Sequence, residues 1–309
     1  MNQGWIYREQ VDGANAGLTI LAYFTHRYRH SSQTVWQSRI ICGEILLDDQ
    51  QTTADTLLKP GQWLSYHRPP WEEPVVPLTF EVLYQDADVW VVAKPAGLPV
   101  LPGGGFLEHT LLWQLQQQYP QETPVPIHRL GRGTSGLLLL ARSPLARVAL
   151  SEQMRHRQIC KTYRALVKTC DLPLKDTFTI TQPIGKIPHP VLGYVYGAVP
   201  DGRFAQSDCQ VLKRRPETTL LAVTIRTGRP HQIRIHLAAA GCPLVADPLY
   251  EIGGLPRCQP KGAEKLPVPG DCGYYLHAFQ LDFIHPRTHQ PLSILCPAPV
   301  VLDESESVV

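Results

Sequence analysis

Residues 220–241 read Leu220-Leu221-Ala222-Val223-Thr224-Ile225, then Arg226-Thr227-Gly228-Arg229-Pro230, then His231-Gln232-Ile233-Arg234-Ile235-His236-Leu237-Ala238-Ala239-Ala240-Gly241. The first block is a short apolar run of the length expected for a strand. Thr227-Gly228-Arg229-Pro230 is a turn, and Gly241 closes a helix expected from about His231 to Ala240. His231 and Arg234 stand three residues apart and share one face of that helix, while Ile233 and Leu237 pack inward. Upstream, Val89-Trp90-Val91-Val92-Ala93 is a second buried-strand run, and Lys161 to Val167 alternates like a strand. Ser143-Pro144 starts a helix, with a capping hydroxyl and proline at the first helical position. No regular βαβ repeat links these elements, so the expected class is α+β.

The Pro-rich stretch Arg68-Pro69-Pro70-Trp71-Glu72-Glu73-Pro74 reads as a break between domains. It predicts a small α+β unit over residues 1–70, a linker over 71–78, a main domain over 79–300 and an acidic tail over 301–309, frayed from Asp303. Inside the small unit, Leu18, Leu21 and Ala22 have helical spacing, Val35 to Ile41 forms a second helix, and Glu44 to Leu47 is strand-like.

Composition narrows the function classes. Apolar residues make up 43% and charged residues 18% of the 309, which argues against a disordered chain. There is no apolar run long enough for a membrane span, and the N-terminus lacks a signal pattern, so a cytoplasmic protein is expected. The eight cysteines (Cys42, Cys160, Cys170, Cys209, Cys242, Cys258, Cys272, Cys296) contain no CxxC pair, so they predict reduced structural thiols and no metal. Net charge is only +2, but basic residues cluster at 26–30, at 155–157 with Lys161, and at 213–215.

Three segments carry the chemistry: His128-Arg129-Leu130-Gly131-Arg132-Gly133-Thr134-Ser135-Gly136, Lys161-Thr162-Tyr163-Arg164-Ala165, and Thr227 to His236 continuing to Asp247 and Tyr250. Together with Lys94-Pro95-Ala96-Gly97 and Leu276-His277-Ala278, residues 79–299 resemble an RluA-type RNA pseudouridine synthase. The small unit is similar to the RNA-binding domain often fused ahead of such enzymes, through Ser38-Arg39, Gly43 and Leu58-Lys59-Pro60-Gly61.

The resemblance implies a mixed, mostly antiparallel sheet with flanking helices around a central cleft. It also implies isomerisation of uridine in ribosomal or transfer RNA, without cofactor or metal; separately, a monomer is expected. The target base must leave its stack to be reached. Tyr163 matches the base-stacking tyrosine, and Arg234 the arginine that pairs with the catalytic carboxylate. His128, Arg129, Arg132, Thr134, Lys161, Arg229, His231 and Gln232 are expected to meet RNA in the cleft. Arg27, Arg29 and Arg39 are expected to meet phosphates from the small unit.

One position departs from the pattern. The family's catalytic aspartate follows His-Arg-Leu, where this chain has Gly131, and Gly133 replaces a residue commonly acidic. Two accounts are open. Another carboxylate, Asp247 or Asp208, enters the cleft; or the protein binds RNA there without isomerising it, the glycines accepting a phosphate or simply serving turn geometry. A purely structural role ranks behind both.

Overall fold

The computed structural model describes residues 1–169, 175–189, 192–257 and 266–304. Cys170, Cys258 and the end of the expected tail lie outside the described residues. Contacts divide the chain into two compact units, residues 1–73 with 188–194 and residues 74–187 with 195–309.

In the first unit, β1 (Trp5–Gln10), β2 (Ile45–Leu47), β3 (Gln50–Gln51) and β4 (Trp63–Arg68) form an antiparallel sheet in the order β1-β4-β2-β3. Helices α1 (Ile20–Arg27) and α2 (Gln33–Ile41) begin at Thr19 and Ser32, whose hydroxyls accept from the N–H groups of Ala22 and Val35. Their apolar positions, Ile20, Phe24, Trp36 and Ile40, join Ile45 and Leu64 in one core.

The second unit runs β5 (Glu81–Gln85), β6 (Val89–Lys94), α3 (Leu111–Gln118), β7 (Val125–Pro126), β8 (Ser135–Ala141), α4 (Pro144–Arg155) and β9 (Cys160–Lys168). The chain continues with β10 (Thr177–Ile180), β11 (Ile184–His189), β12 (Gly193–Ala198), β13 (Ser207–Arg214), β14 (Thr218–Ile225), α5 (Gln232–Ala239), β15 (Leu276–Ile284) and β16 (Pro291–Leu295), the end of β11 and the start of β12 counting with the first unit. Among the described residues, ten of these strands make one sheet in the order β10-β13-β14-β9-β15-β8-β6-β5, with β16 on β15 and β7 on β8. The β8–β15 pair is parallel and the rest antiparallel, the α+β arrangement expected. That parallel pair explains Gly136: at φ +99° it lies against Ala278, whose backbone a Cβ would strike.

Helix α5 differs from the two-faced helix expected. Every residue from Gln232 to Ala238 is buried, because Ile233 and Leu237 join the sheet core while Ile235 and Ala238 pack on Leu249 and Tyr250. His231 lies outside the helix, at its N-cap in the left-handed region (φ 54°), so it shares no helix face with Arg234. The chain stays packed as far as Leu302, buried against Leu166 and Leu220, and the exposed Glu304 pairs with Arg164 at 2.5 Å. Apolar Val300-Val301-Leu302 supplies the anchor that an acidic-tail reading overlooks. The cysteines among the described residues are free thiols.

Candidate active site

The second unit holds a cleft of about 340 Å³, walled by the loop His128–Gly131 with Thr134, by Met154, by Lys161 and Tyr163 of β9, by Gly228 to Arg234, and by Tyr274. Of the residues expected there, His128, Arg129, Gly131, Thr134, Lys161, Tyr163, Arg229, His231, Gln232 and Arg234 line it. Arg132 does not: its Nε donates to the Gly270 carbonyl at 2.7 Å and its guanidinium lies over Phe106. Arg27, Arg29 and Arg39 belong to the first unit. There Arg27 pairs with Glu9 at 3.2 Å, and Arg39 lies over Trp36 and Tyr66.

Strand β9 supplies Tyr163, buried in the core with its hydroxyl unbonded to any described residue. Burial pushes its phenol well above the usual range, so it meets the cleft as a neutral aromatic. Lys94, in the loop motif, is structural: its Nζ donates to the carbonyls of Pro95 and Leu98 (both 2.8 Å) and Arg132 (3.2 Å), tying that loop to the Gly131 turn. His277 is likewise a fastener. It accepts from Ser135 at 2.9 Å and donates to the Cys296 carbonyl at 3.2 Å.

Arg234 is the charged centre. Its Nε and Nη2 each donate to Asp247 at 2.7 Å, a bidentate pair with side chains 3% and 1% exposed. Burial works against the guanidinium charge, and Asp247 together with Tyr274 and Tyr250 more than offsets it. Asp247 Oδ1 also accepts from the N–H groups of Leu249 (2.9 Å) and Tyr250 (3.1 Å), so four donors surround this carboxylate. The structure thus brings Asp247 to Arg234 but behind it, away from the cleft wall. Asp208 is elsewhere, bonded to Arg226 at 2.6 Å and Thr179 at 3.0 Å and lining a separate cavity. Among the described residues, the wall of this cleft carries arginines and a lysine and no carboxylate.

Sequence reading missed Tyr274. Its ring lies 4.2 Å from the Arg234 guanidinium carbon, and its hydroxyl is 3.3 Å from Thr134 Oγ1. A Cβ on Gly131 would stand 2.9 Å from that hydroxyl, and one on Gly133 2.9 Å from the ring. Neither glycine adopts positive φ, so turn geometry does not require them; the tyrosine does. The two glycines flanking Arg132 are the one available signal. Nothing local indicated what filled the space they leave.

Among the described residues no cluster of three or more His, Cys, Asp or Glu could hold a metal, and no helix is long and apolar enough to cross a membrane.

A family model described as RNA pseudouridylate synthase matches residues 88–239. An uncharacterised RNA pseudouridine synthase of Synechocystis is 50% identical, covering 91% of this chain and 94% of that protein. RNA pseudouridine synthase 5 of Oryza sativa is 40% identical over 99% and 89%. Ribosomal large subunit pseudouridine synthase D of Xanthomonas campestris is 33% identical over 91% and 84%. In structure, human RNA pseudouridylate synthase domain containing 4 shares the fold, with a TM-score of 0.54 at 24% identity, covering 73% of this chain and 91% of that one. The chain therefore belongs to the RluA family of RNA pseudouridine synthases, isomerases that act on RNA.

Proposed function

We propose that this cleft takes one uridine, flipped out of a structured ribosomal or transfer RNA, and isomerises it without a carboxylate among the described residues of the cleft wall. The observation that carries the reading is the gathering of Tyr163, Arg234 and the Gly131 turn around one basic cavity. Tyr163 offers a flat neutral face on which a detached uracil stays stacked. Arg234, held by Asp247, presents fixed positive charge toward the cleft and favours the electron-rich uracil released when the N1–C1′ bond opens. Arg129, Lys161 and Arg229 suit the flanking phosphates. Asp247 acts here as the partner that orients Arg234. Arg27, Arg29 and Arg39 suit RNA phosphates met by the first unit. A cytoplasmic monomer is part of the reading, open to check by cell fractionation and sedimentation.

The test incubates the purified chain with ribosomal and transfer RNA, then maps pseudouridine by carbodiimide labelling and primer extension. New stops at a few defined uridines are expected, lost when Arg234 is replaced by methionine. The carboxylate-free wall favours one rival, an RNA-binding relative that has lost its chemistry. Retention of RNA with no stop at any uridine would decide for it.

A further inference from the structure

Uridine carries a hydrogen on C5 and none on N1, and pseudouridine the reverse. Whatever opens the glycosidic bond, some base must therefore take the proton from C5 once C5 has bonded to C1′, and N1 must gain one. Among the described residues of this cleft the choice of base is narrow. Arg129, Arg229 and Arg234 offer no lone pair. Tyr163 and Tyr274 are held as neutral phenols by burial. Both ends of the Gln232 amide are engaged, its Oε1 by Thr227 and Arg229 and its Nε2 by Gln206 and Ser207. His128 Nε2 is occupied, accepting from the Leu139 N–H at 3.2 Å. Lys161 approaches Met154 Sδ at 3.7 Å, and burial lowers its pKa, so it is the one competing base and is tested beside His231.

His231 is different. Tyr250 has one hydroxyl proton and gives it to the Tyr196 carbonyl at 2.8 Å. The 2.8 Å contact between Tyr250 Oη and His231 Nδ1 must then run the other way, with Nδ1–H donating. That fixes the tautomer and leaves the Nε2 lone pair bare. Nε2 bonds to no described residue, and His231 lines the cleft. The ring is also clamped, edge-on to Tyr250 at 5.8 Å, on a backbone held at φ 54°, where a side chain is uncommon.

We propose that His231 is the proton shuttle of the isomerisation, its Nε2 taking the proton from C5 of the re-attached uracil and returning it to N1. The electron pair of the C5–H bond re-forms the C5–C6 double bond, and the C6–N1 double bond opens onto N1. N1 then takes the proton from the imidazolium, so the base ends neutral and the histidine is regenerated. Burial together with nearby Arg234 keeps the ring unprotonated, with its pKa lowered to about 3, so the lone pair is available at neutral pH and the proton is given up readily. This inference rests on the pseudouridine-forming reading above.

The experiment follows tritium release from RNA carrying [5-³H]uridine, and turnover on RNA carrying 5-deuterated uridine. His231→Asn keeps an N–H near the Nδ1 position and a residue tolerant of positive φ, but has no Nε2. It is expected to turn over roughly 100-fold more slowly than wild type and to slow further with deuterium at C5. His231→Gly is expected to regain turnover as imidazole is added. Tyr250→Phe, which leaves position 231 untouched and frees the tautomer, is expected to show a smaller loss. Lys161→Gln is expected to show no new deuterium effect. His231→Asn with wild-type turnover, or a deuterium effect that arises in Lys161→Gln instead, would overturn the proposal while leaving the enzyme reading intact. A wild type that releases no tritium would instead overturn the enzyme reading itself.

Discussion

The hydroxyl of Tyr274 lies 2.9 Å from the point where a Cβ on Gly131 would stand. Tyrosine and glycine are thus two halves of one arrangement, in which a neutral phenol stacked on Arg234 fills the volume next to the guanidinium. Restoring an aspartate therefore requires more than one substitution. Gly131→Asp alone should crowd Tyr274 and cost about 1–3 kcal/mol of stability by denaturant unfolding. In the double variant with Tyr274→Leu much of that cost should vanish, giving a coupling of about 0.5–3 kcal/mol in the mutant cycle. Additive effects would mean that the two side chains do not compete for the same space.

Asp247 and Arg234 should behave as a structural pair. Removing the carboxylate leaves a buried guanidinium charge without its partner, so Asp247→Ala should lose about 3–5 kcal/mol. Replacing both by apolar residues, Arg234→Met with Asp247→Leu, should cost less than Asp247→Ala alone. Urea midpoints of the three variants check this.

Two buried imidazoles set an acid limb. Burial is the largest cause in lowering both His128 and His231 from 6.5 to about 3. Between those values the unfolded chain binds protons that the folded chain excludes, so stability rises with pH across the window and falls on acidification. The slope is at most about 1.4 kcal/mol per pH unit for each ring. His231→Asn should therefore lose less stability than wild type on passing from neutral pH to about pH 5, as read by paired urea titrations.

The arginines of the first unit should separate by what they touch. Among the described residues Arg29 is held by one 3.4 Å contact, to the His26 carbonyl, so Arg29→Ala should lower the slope of log affinity against log salt by about one without altering stability. Arg39 lies 4.5 Å from the Trp36 ring centre, so Arg39→Ala should destabilise this unit as well as weaken binding. Filter binding across a salt series, beside thermal unfolding, distinguishes them.

Much of this fold was legible because its signals are local. The apolar runs at Val89 and Leu220, the capped start at Ser143 and the turn at Thr227 needed nothing beyond their own sequence, and each formed the expected element. Helix α5 exposed the limit: Ile233 and Leu237 on one face and His231 with Arg234 on another suggest amphipathicity, yet a core closing around the whole helix buries Arg234 as well. The site was legible where motif residues line the cleft. It was not legible where the deciding partner is remote, as with Tyr274, whose contact with Thr134 spans 140 positions. Nor does sequence reveal that Asp247 reaches Arg234 from behind, or that His231 steps out of the helix into positive φ.

The measurement that bears hardest on this mechanism is tritium release from [5-³H]uridine RNA by the unmodified chain. Release matching pseudouridine formed, with Gly131 in place, is the result expected. Silence from the unmodified chain on both ribosomal and transfer RNA, with release appearing once Gly131→Asp is combined with Tyr274→Leu, would show that the missing carboxylate had carried the chemistry.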